Sequence, residues 1–254
     1  CSVSVNYKKI ATEVRKQAIT MIHRAQTSHT ASNFSITDLA VVLYENLGPS
    51  DRVVWSKGWA AATTYILLAR HGFIPESDLE KFPKTPYLNL VETGVAGIET
   101  SGGSMGHGLP VALGIALGQK KAGVKGMVYC IMSDGEMNEG TTWESAMIAS
   151  HHNLNNVCML IDRNRWQAMG RTEEVIKLEP LDKRFEAFGW DVQRVDGHNY
   201  EQLEKAILKR SKKPMVIICD TIKGKGVSFM EDSLVFHYKY VDDETYRKAM
   251  RELR

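Results

Sequence analysis

The stretch SDGEMNEGTTWESAMIASHHNLNNVCMLIDRNRWQ, from Ser133 to Gln167, decides the fold. Just before it, Met127–Met132 (MVYCIM) is an unbroken apolar run of the kind that forms a strand buried on both faces. Gly135 follows three positions after Met132 and lets the backbone approach a phosphate closely. Thr141 and Glu144 spell T-x-x-E, a capping box that opens a helix. Trp143, Ala146, Met147 and Ser150 then recur at helical spacing and give that helix a face to pack. Val157–Ile161 is the next strand, and Asp162-Arg163-Asn164 closes it. The pattern is one βαβ unit. Asp134 and Asn164 stand 30 positions apart, each at the C-terminal end of a strand. In a parallel sheet those ends lie side by side, and ligands bind there. A carboxylate and an amide oxygen meeting in that crevice suit a hard cation such as Mg²⁺, which can in turn hold a diphosphate.

Working outward, strands and helices alternate along the chain. Tyr7–Gln26 is an amphipathic helix with Ile10, Val14, Ala18, Met21, Ile22 and Ala25 on one side. Ser35, followed by Asp38, is expected to cap a second helix running to Asn46. Arg52–Trp55 is a short strand, and Ala60–His71 a small-residue helix ended by Gly72. Thr85–Gly103 is irregular and long enough to be functional. Met105–Ala122 is helical, and beyond the central unit come a helix at Leu181–Phe188 and a strand at Trp190–Val195. A helix at Tyr200–Lys209 and a strand at Met215–Cys219 follow. Val227–Tyr240 is a second irregular loop, and Asp242–Arg254 a last helix. The fold class is therefore α/β, a doubly wound parallel sheet flanked by helices. No repeat or linker breaks residues 1–254, which are expected to form one domain.

Composition narrows the function. A net charge of +2 over 254 residues implies no nucleic-acid or membrane role. No apolar run approaches membrane-spanning length, and no signal peptide is visible. Cys130, Cys158 and Cys219 fall in strands at spacings unlike a zinc site, as reduced buried thiols of a cytoplasmic protein would. Met127, Met132, Met147 and Met159 fit core positions. Lys209–Lys213 is a solvated helix end, where cations favour the dipole.

Seven segments together resemble the N-terminal, diphosphate-binding half of a transketolase. They are TSHTASNFS (Thr27–Ser35), SKGWAA (Ser56–Ala61), SGGSMGHG (Ser101–Gly108), SDGEMNEG (Ser133–Gly140), DRNRWQ (Asp162–Gln167), FGWDVQRVDGHN (Phe188–Asn199) and TIKGKGVSFME (Thr221–Glu231). SDG followed by Asn164 is similar to the thiamine diphosphate motif, with Ser133 in place of its first Gly. The resemblance implies that thiamine diphosphate is the cofactor and Mg²⁺ its metal, or Ca²⁺ or Mn²⁺ in its place. It makes Asp134 and Asn164 the side-chain metal ligands and the Trp166 carbonyl a backbone ligand. Gly135 would meet the diphosphate through its N–H, and Gly103 and Met105 would border the aminopyrimidine ring. Glu139 matches a residue that links the two cofactor sites across the subunit interface. His29 matches a histidine near the substrate hydroxyls, and His237 one near the diphosphate and the reacting carbon. Lys223 and Lys225 sit between glycines near the phosphates in the family pattern.

The departures fall on the substrate wall. The family reads SKGHA where this chain has Trp59, and a histidine of its middle loop falls near Asn89. The Gln of TGxLGQG becomes His107, and Tyr238 follows His237 where the family usually has Gly. An indole and an amide thus replace two imidazoles, which points away from ordinary pentose and hexose phosphates.

In this family the cofactor's carbanion carries off a two-carbon ketol unit. The Glu that activates the aminopyrimidine, and the Arg residues that bind sugar phosphate, belong to a separate pyrimidine-binding domain. The sequence ends at Arg254 without one. The expected assembly is this chain with a C-terminal subunit, two of each, as an α₂β₂ heterotetramer acting on small sugars or sugar phosphates. Two alternatives stay open: a synthase or lyase on an unusual ketose, and a regulatory subunit that binds cofactor without turnover.

Overall fold

The computed structural model describes residues 5–253, so Cys1 and Arg254 lie outside it. The elements in order are α1 (Tyr7–Ala25), α2 (Thr30–Glu45), β1 (Arg52–Trp55), α3 (Ala61–Arg70), α4 (Gly108–Lys121), β2 (Val128–Ser133) and α5 (Gly140–His151). They continue as β3 (Val157–Arg163), α6 (Thr172–Val175), α7 (Leu181–Ala187), β4 (Asp191–Asp196), α8 (Tyr200–Leu208), β5 (Met215–Asp220), α9 (Val235–Tyr238) and α10 (Asp243–Glu252). The five strands form one parallel sheet in the order β1-β2-β3-β5-β4.

Strand periodicity sorts the core into two layers. Val53, Trp55, Tyr129, Ile131, Cys158, Leu160, Met215 and Ile217 pack on one face beneath α1, α2, α3 and α8. Val54, Val128, Cys130, Met132, Met159, Ile161, Val216 and Ile218 pack on the other beneath α4, α5 and α7. Helices on both faces explain why β2, β3 and β5 are apolar throughout rather than alternating. The doubly wound fold is as expected, and each expected strand is present.

Three local expectations are overturned. Ser35 caps nothing: α2 begins five residues earlier, after His29, and Ser35 lies buried inside it. Its hydroxyl donates instead to Asp162 Oδ2, across the fold at 2.6 Å. The capping box is not Thr141–Glu144 either. It is Ser133–Glu136, at the head of a short 3-10 turn over Asp134–Asn138. Thr141 Oγ1 donates to the Gly106 carbonyl at 2.9 Å, and α5 starts at Gly140 without a side-chain cap. Finally, Met147 is not in the core. It is 52% exposed, because α5 packs through Thr142, Ser145, Ala146 and Ala149. Short helix α9 also interrupts the second irregular loop.

Candidate active site

The parallel sheet brings the C-terminal ends of four strands to one edge. The turns after β1, β2, β3 and β5 surround a cavity of about 420 Å³, closed on one side by Gly103–Met105 and on another by His237. Gly58 has to be glycine because a Cβ there would stand 2.6 Å from Gly102 Cα, so the loop before α4 lies directly on the turn after β1. Gly103 takes φ 113°, a left-handed geometry that lets this loop bend around the cavity. A larger hollow of about 620 Å³ lies beside β1, near Tyr44 and His71, and contains none of the expected site residues.

Glu136, which sequence reasoning passed over, ties the rim together. Its fully buried carboxylate accepts from Ser56 Oγ, from the Gly106 N–H at 3.1 Å and from the Ser133 N–H at 2.8 Å. Burial pushes this carboxyl up, and the three donors work against that rise. One side chain therefore fixes three loops. Gly135 and Glu139 line the cavity on either side of it, as do Gly103 and the 44% exposed Met105.

Asp134 follows β2, and Asn164 and Trp166 follow β3. Asp134 is fully buried. Its Oδ2 accepts from Arg163 Nη1 at 2.8 Å, the Arg165 N–H at 2.8 Å and Thr172 Oγ1 at 3.1 Å, while Oδ1 is buried with no partner. Burial raises the Asp134 carboxyl, and the Arg163 guanidinium opposes the rise. Asn164 is oriented by its amide: Nδ2 donates to Asp162 Oδ2 at 3.2 Å, and Oδ1 takes one N–H, that of Trp166, at 3.0 Å. Trp166 pairs with Arg171 across a single antiparallel bridge. The bonds on either side of it run from Thr172 N–H to the Arg165 carbonyl and from Gln167 N–H to the Gly170 carbonyl, so the ladder leaves the Trp166 carbonyl unused. A buried unpartnered acceptor is costly unless something neutralises it. Oδ1, the Asn164 amide oxygen and the free carbonyl are hard oxygen donors that fit a Mg²⁺ ion sharing its coordination with a phosphate. Among the described residues no cluster of three or more His, Cys, Asp or Glu could hold a metal unaided.

A second buried charge pair supports the same rim. Lys57 Nζ pairs with Asp162 Oδ2, and it donates to the Ser32 carbonyl at 3.0 Å and to Ser35 Oγ at 3.2 Å. Thr221 Oγ1 bonds the other Asp162 oxygen. Burial alone would raise the Asp162 carboxyl, but Lys57 and these hydrogen bonds outweigh it and hold it below the usual range. Losing one partner of such a pair costs about 3–5 kcal/mol, since the other charge stays buried alone.

Rings gather where the substrate end is expected. The His29 ring stacks on Trp59, centroids 4.3 Å apart and planes at 13°, and meets His237 edge-on at 4.8 Å. His29 sits behind Trp59: the indole and His237 line the cavity, and His29 does not. Asn89 does not line it either; its Nδ2 donates to Thr27 Oγ1 at 3.2 Å, two residues before His29. Lys223 Nζ lies 3.0 Å from His237 Nδ1. An ammonium can only donate, so His237 carries its proton on Nε2. Lys223 is buried beside the cavity and, among the described residues, has no carboxylate within ion-pair reach. Burial lowers it to about 8, with Lys57 adding to the effect. An unpaired buried ammonium of this kind suits an anion. The turn carrying it is held by His198, whose Nε2 accepts the Ile222 N–H at 2.9 Å while Nδ1 meets Asp38 at 2.7 Å.

The imidazoles make a pH prediction. Burial first, then the Lys223 charge, lowers His29 to about 4 and His237 to about 3, from an ordinary 6.5. Between pH 6.5 and about 4 the unfolded chain binds protons on both rings that the folded chain does not. Stability therefore falls as pH falls through that window. Thermal unfolding followed from pH 7 to 4 is expected to show this fall, and His237→Gln is expected to shallow it. Equal slopes for both proteins would count against buried neutral rings.

Residues 6–252 match the family described as transketolase, thiamine diphosphate binding domain. The chain is 33% identical to one subunit of the apulose-4-phosphate transketolase of Actinobacillus succinogenes, over 97% of this chain and 95% of that protein. It is 34% identical to the 6-deoxy-6-sulfo-D-fructose transketolase subunit SqwG of a Clostridium species, over 96% and 94%. The transketolase structure from Campylobacter jejuni superimposes with a TM-score of 0.91 at 27% identity, covering 99% of this chain but 43% of that one. The chain thus spans under half the length of that transketolase.

Proposed function

This chain belongs to the family of transketolase thiamine diphosphate-binding domains, and on that basis we propose that it is the N-terminal subunit of a split transketolase. The enzyme would use Mg²⁺ and transfer a two-carbon ketol unit from a ketose donor to an aldose acceptor, with a separate C-terminal subunit completing the site. The observation that carries this reading is Asp134 Oδ1, a buried acceptor without a partner, on a carboxylate bonded through its other oxygen to the Arg165 N–H, between Asn164 and Trp166. Residues 1–254 act as one domain in this proposal.

When bound, the cofactor supplies the carbanion chemistry. The chain's own residues do the rest. Asp134, Asn164 and the Trp166 carbonyl hold the metal; Gly135 and Lys223 face the diphosphate; Gly103 and Met105 border the aminopyrimidine. His237, protonated on Nε2 and neutral near pH 7, offers one donor toward the reacting carbon. His29, buried behind Trp59 and stacked on it, holds the indole that faces the substrate. Glu139 links the two sites of the assembly. An α₂β₂ arrangement is supported by apolar surface left open: Met147 and Ile148 on α5, 52% and 50% exposed, Met169 on the cavity wall, 80% exposed, and Tyr238 next to His237, 57% exposed. No helix among the described residues is long and apolar enough to cross a membrane. Buried free thiols at Cys130, Cys158 and Cys219 suit a cytoplasmic location.

Trp59, which lines the cavity, sets the substrate class in this reading. A His offers two nitrogens for hydrogen bonding, whereas Trp offers one donor and a large apolar face. A site that loses polar contacts relaxes its demand for the hydroxyl they bound. The assembled enzyme is therefore expected to prefer a non-standard ketose, as the names of two relatives also indicate for those proteins. Trp59→His, alone or with Asn89→His, is expected to shift kcat/KM about tenfold toward ordinary pentose phosphates, the size of one or two polar contacts. Steady-state kinetics of the reconstituted pair on a panel of ketoses tests it. A wild type that already prefers pentose phosphates, with variants that leave the ratio unmoved, would make Trp59 a packing residue.

A further inference from the structure

The segment FGWDVQRVDGHN (Phe188–Asn199) sends no side chain into the cavity, yet one of its residues reaches a turn that does. β4 ends at Asp196, and Gly197 lies close against the end of β5. Its N–H donates to the Asp220 carbonyl at 2.8 Å, and a Cβ there would stand 2.4 Å from Thr221 Cγ2. That approach sets the His198 ring between two elements. Nδ1 lies 2.7 Å from Asp38 Oδ2 on α2, and Nε2 takes the Ile222 N–H at 2.9 Å, one residue before Lys223.

The two contacts allow one placement of the ring proton. Asp38 also binds Arg15 through both its oxygens, at 2.9 and 2.7 Å, and accepts from the Tyr200 hydroxyl at 2.8 Å. Burial alone would raise the Asp38 carboxyl, but Arg15 and His198 outweigh burial and hold it well below the usual range. The carboxylate can only accept, and a backbone N–H can only donate. His198 therefore carries its proton on Nδ1 and keeps Nε2 as an acceptor. The ring is a strut from the Asp38–Arg15 pair to the Lys223 turn. Other N–H groups of this turn go to backbone carbonyls, Thr221 to Arg163 at 3.2 Å and Gly224 to Ala31 at 3.1 Å, whereas Ile222 is held by a side chain. Lys223 itself is a point charge on a flexible four-carbon stem, with no fork to fix its direction. Where its ammonium sits depends on where its backbone is held. We propose that His198 is a positioning residue for cofactor binding: by holding the Ile222 amide, it fixes the backbone from which Lys223 reaches His237 and the diphosphate. This rests on the reading that Lys223 faces the diphosphate. His198 touches neither cofactor nor substrate.

The two nitrogens of the ring can be separated by substitution. Asn places its amide near Nδ1, so it still donates to Asp38 but falls short of Ile222. Gln places its oxygen near Nε2, so it still accepts the Ile222 N–H but gives up Asp38. The test uses the full chain with its partner subunit. Two quantities are read: hydrogen exchange of the Ile222 amide by mass spectrometry before cofactor is added, and the thiamine diphosphate Kd by calorimetry in saturating Mg²⁺. His198→Asn is expected to speed the exchange and to weaken cofactor binding about tenfold, the size of one hydrogen bond to a charged group. His198→Gln is expected to stay close to wild type in both. A residue that only supported the fold would lower the Tm of both variants without splitting their affinities. Equal affinities in the two, or weaker binding in His198→Gln, overturn the proposal. Should His198→Asn not fold, His198→Phe, which keeps a ring and loses both bonds, takes its place with the same two outcomes. Lys223→Met separates this from the reading beneath it. If that variant binds cofactor as wild type does, Lys223 does not face the diphosphate and the proposal falls with that reading. If it loses affinity while the Asn and Gln variants bind alike, only the role of His198 fails.

Discussion

Asp134→Ala is expected to abolish Mg²⁺-dependent binding of thiamine diphosphate. The diphosphate is expected to reach this chain chiefly through the ion, and Asp134 Oδ1 is a buried carboxylate oxygen without a partner. The loss should exceed the roughly 10- to 100-fold that follows removal of an outer-shell partner, because here the ligand itself is gone. Asn164→Ala should act alike, since its Oδ1 is aimed by the hydrogen bond that its Nδ2 donates to Asp162 Oδ2. Alanine at 134 also leaves the Arg163 guanidinium buried without its carboxylate, so calorimetry is paired with thermal unfolding of the unliganded protein. A folded variant with no cofactor affinity confirms the metal assignment. Undiminished affinity in both variants removes it.

The second large effect concerns assembly. Purified alone, the chain should turn over no ketose, and adding the C-terminal subunit should restore activity. General acid–base catalysis by one positioned side chain contributes about 10²- to 10⁴-fold. If the pyrimidine-domain Glu belongs to a partner subunit, as proposed, the isolated chain should fall below even that margin. The chain covers 43% of the Campylobacter jejuni transketolase it superimposes on, yet nearly the whole of two transketolase subunits. Steady-state assays of the chain, the partner and their mixture settle the point, with light scattering for the mass of the complex. Robust turnover by the isolated chain would show that the active site is completed elsewhere.

The fold was legible because a parallel sheet buries both faces of its strands. β2, β3 and β5 stand out as apolar runs that need no partner to be recognised. Local signals failed where a polar side chain had two possible uses. Ser35 looks like a cap and is an inward donor to Asp162; Thr141-x-x-Glu144 looks like a capping box, while Ser133-x-x-Glu136 is one. Met147 is apolar without being buried. At the candidate site, Asp134, Asn164, Trp59 and His237 were found because motif and spacing carry them. Glu136, Lys57, Asp162 and Arg163 were not. Their importance comes from burial against residues 80, 105, 105 and 29 positions away, respectively, and no local pattern encodes such pairs. Lys223 was flagged only through its neighbouring glycines; its burial and lack of an ion-pair partner emerge from the fold.

The position of β1 at the sheet's edge bears on how the site comes into being. Arg52 pairs with Val128, 76 positions along the chain, and among the described residues β2 is the only strand beside β1. Closing so long a loop is entropically costly before any contact rewards it, and pairings of this kind slow folding. Yet the turn that follows β1 delivers Ser56 to Glu136, Lys57 to Asp162 and Trp59 to His29. Until the edge strand docks, Glu136 lacks the Ser56 hydroxyl and Asp162 lacks the Lys57 charge. Docking of the edge strand and assembly of the pocket are therefore one cooperative event, and no intermediate with a finished cofactor rim but an undocked β1 can be stable.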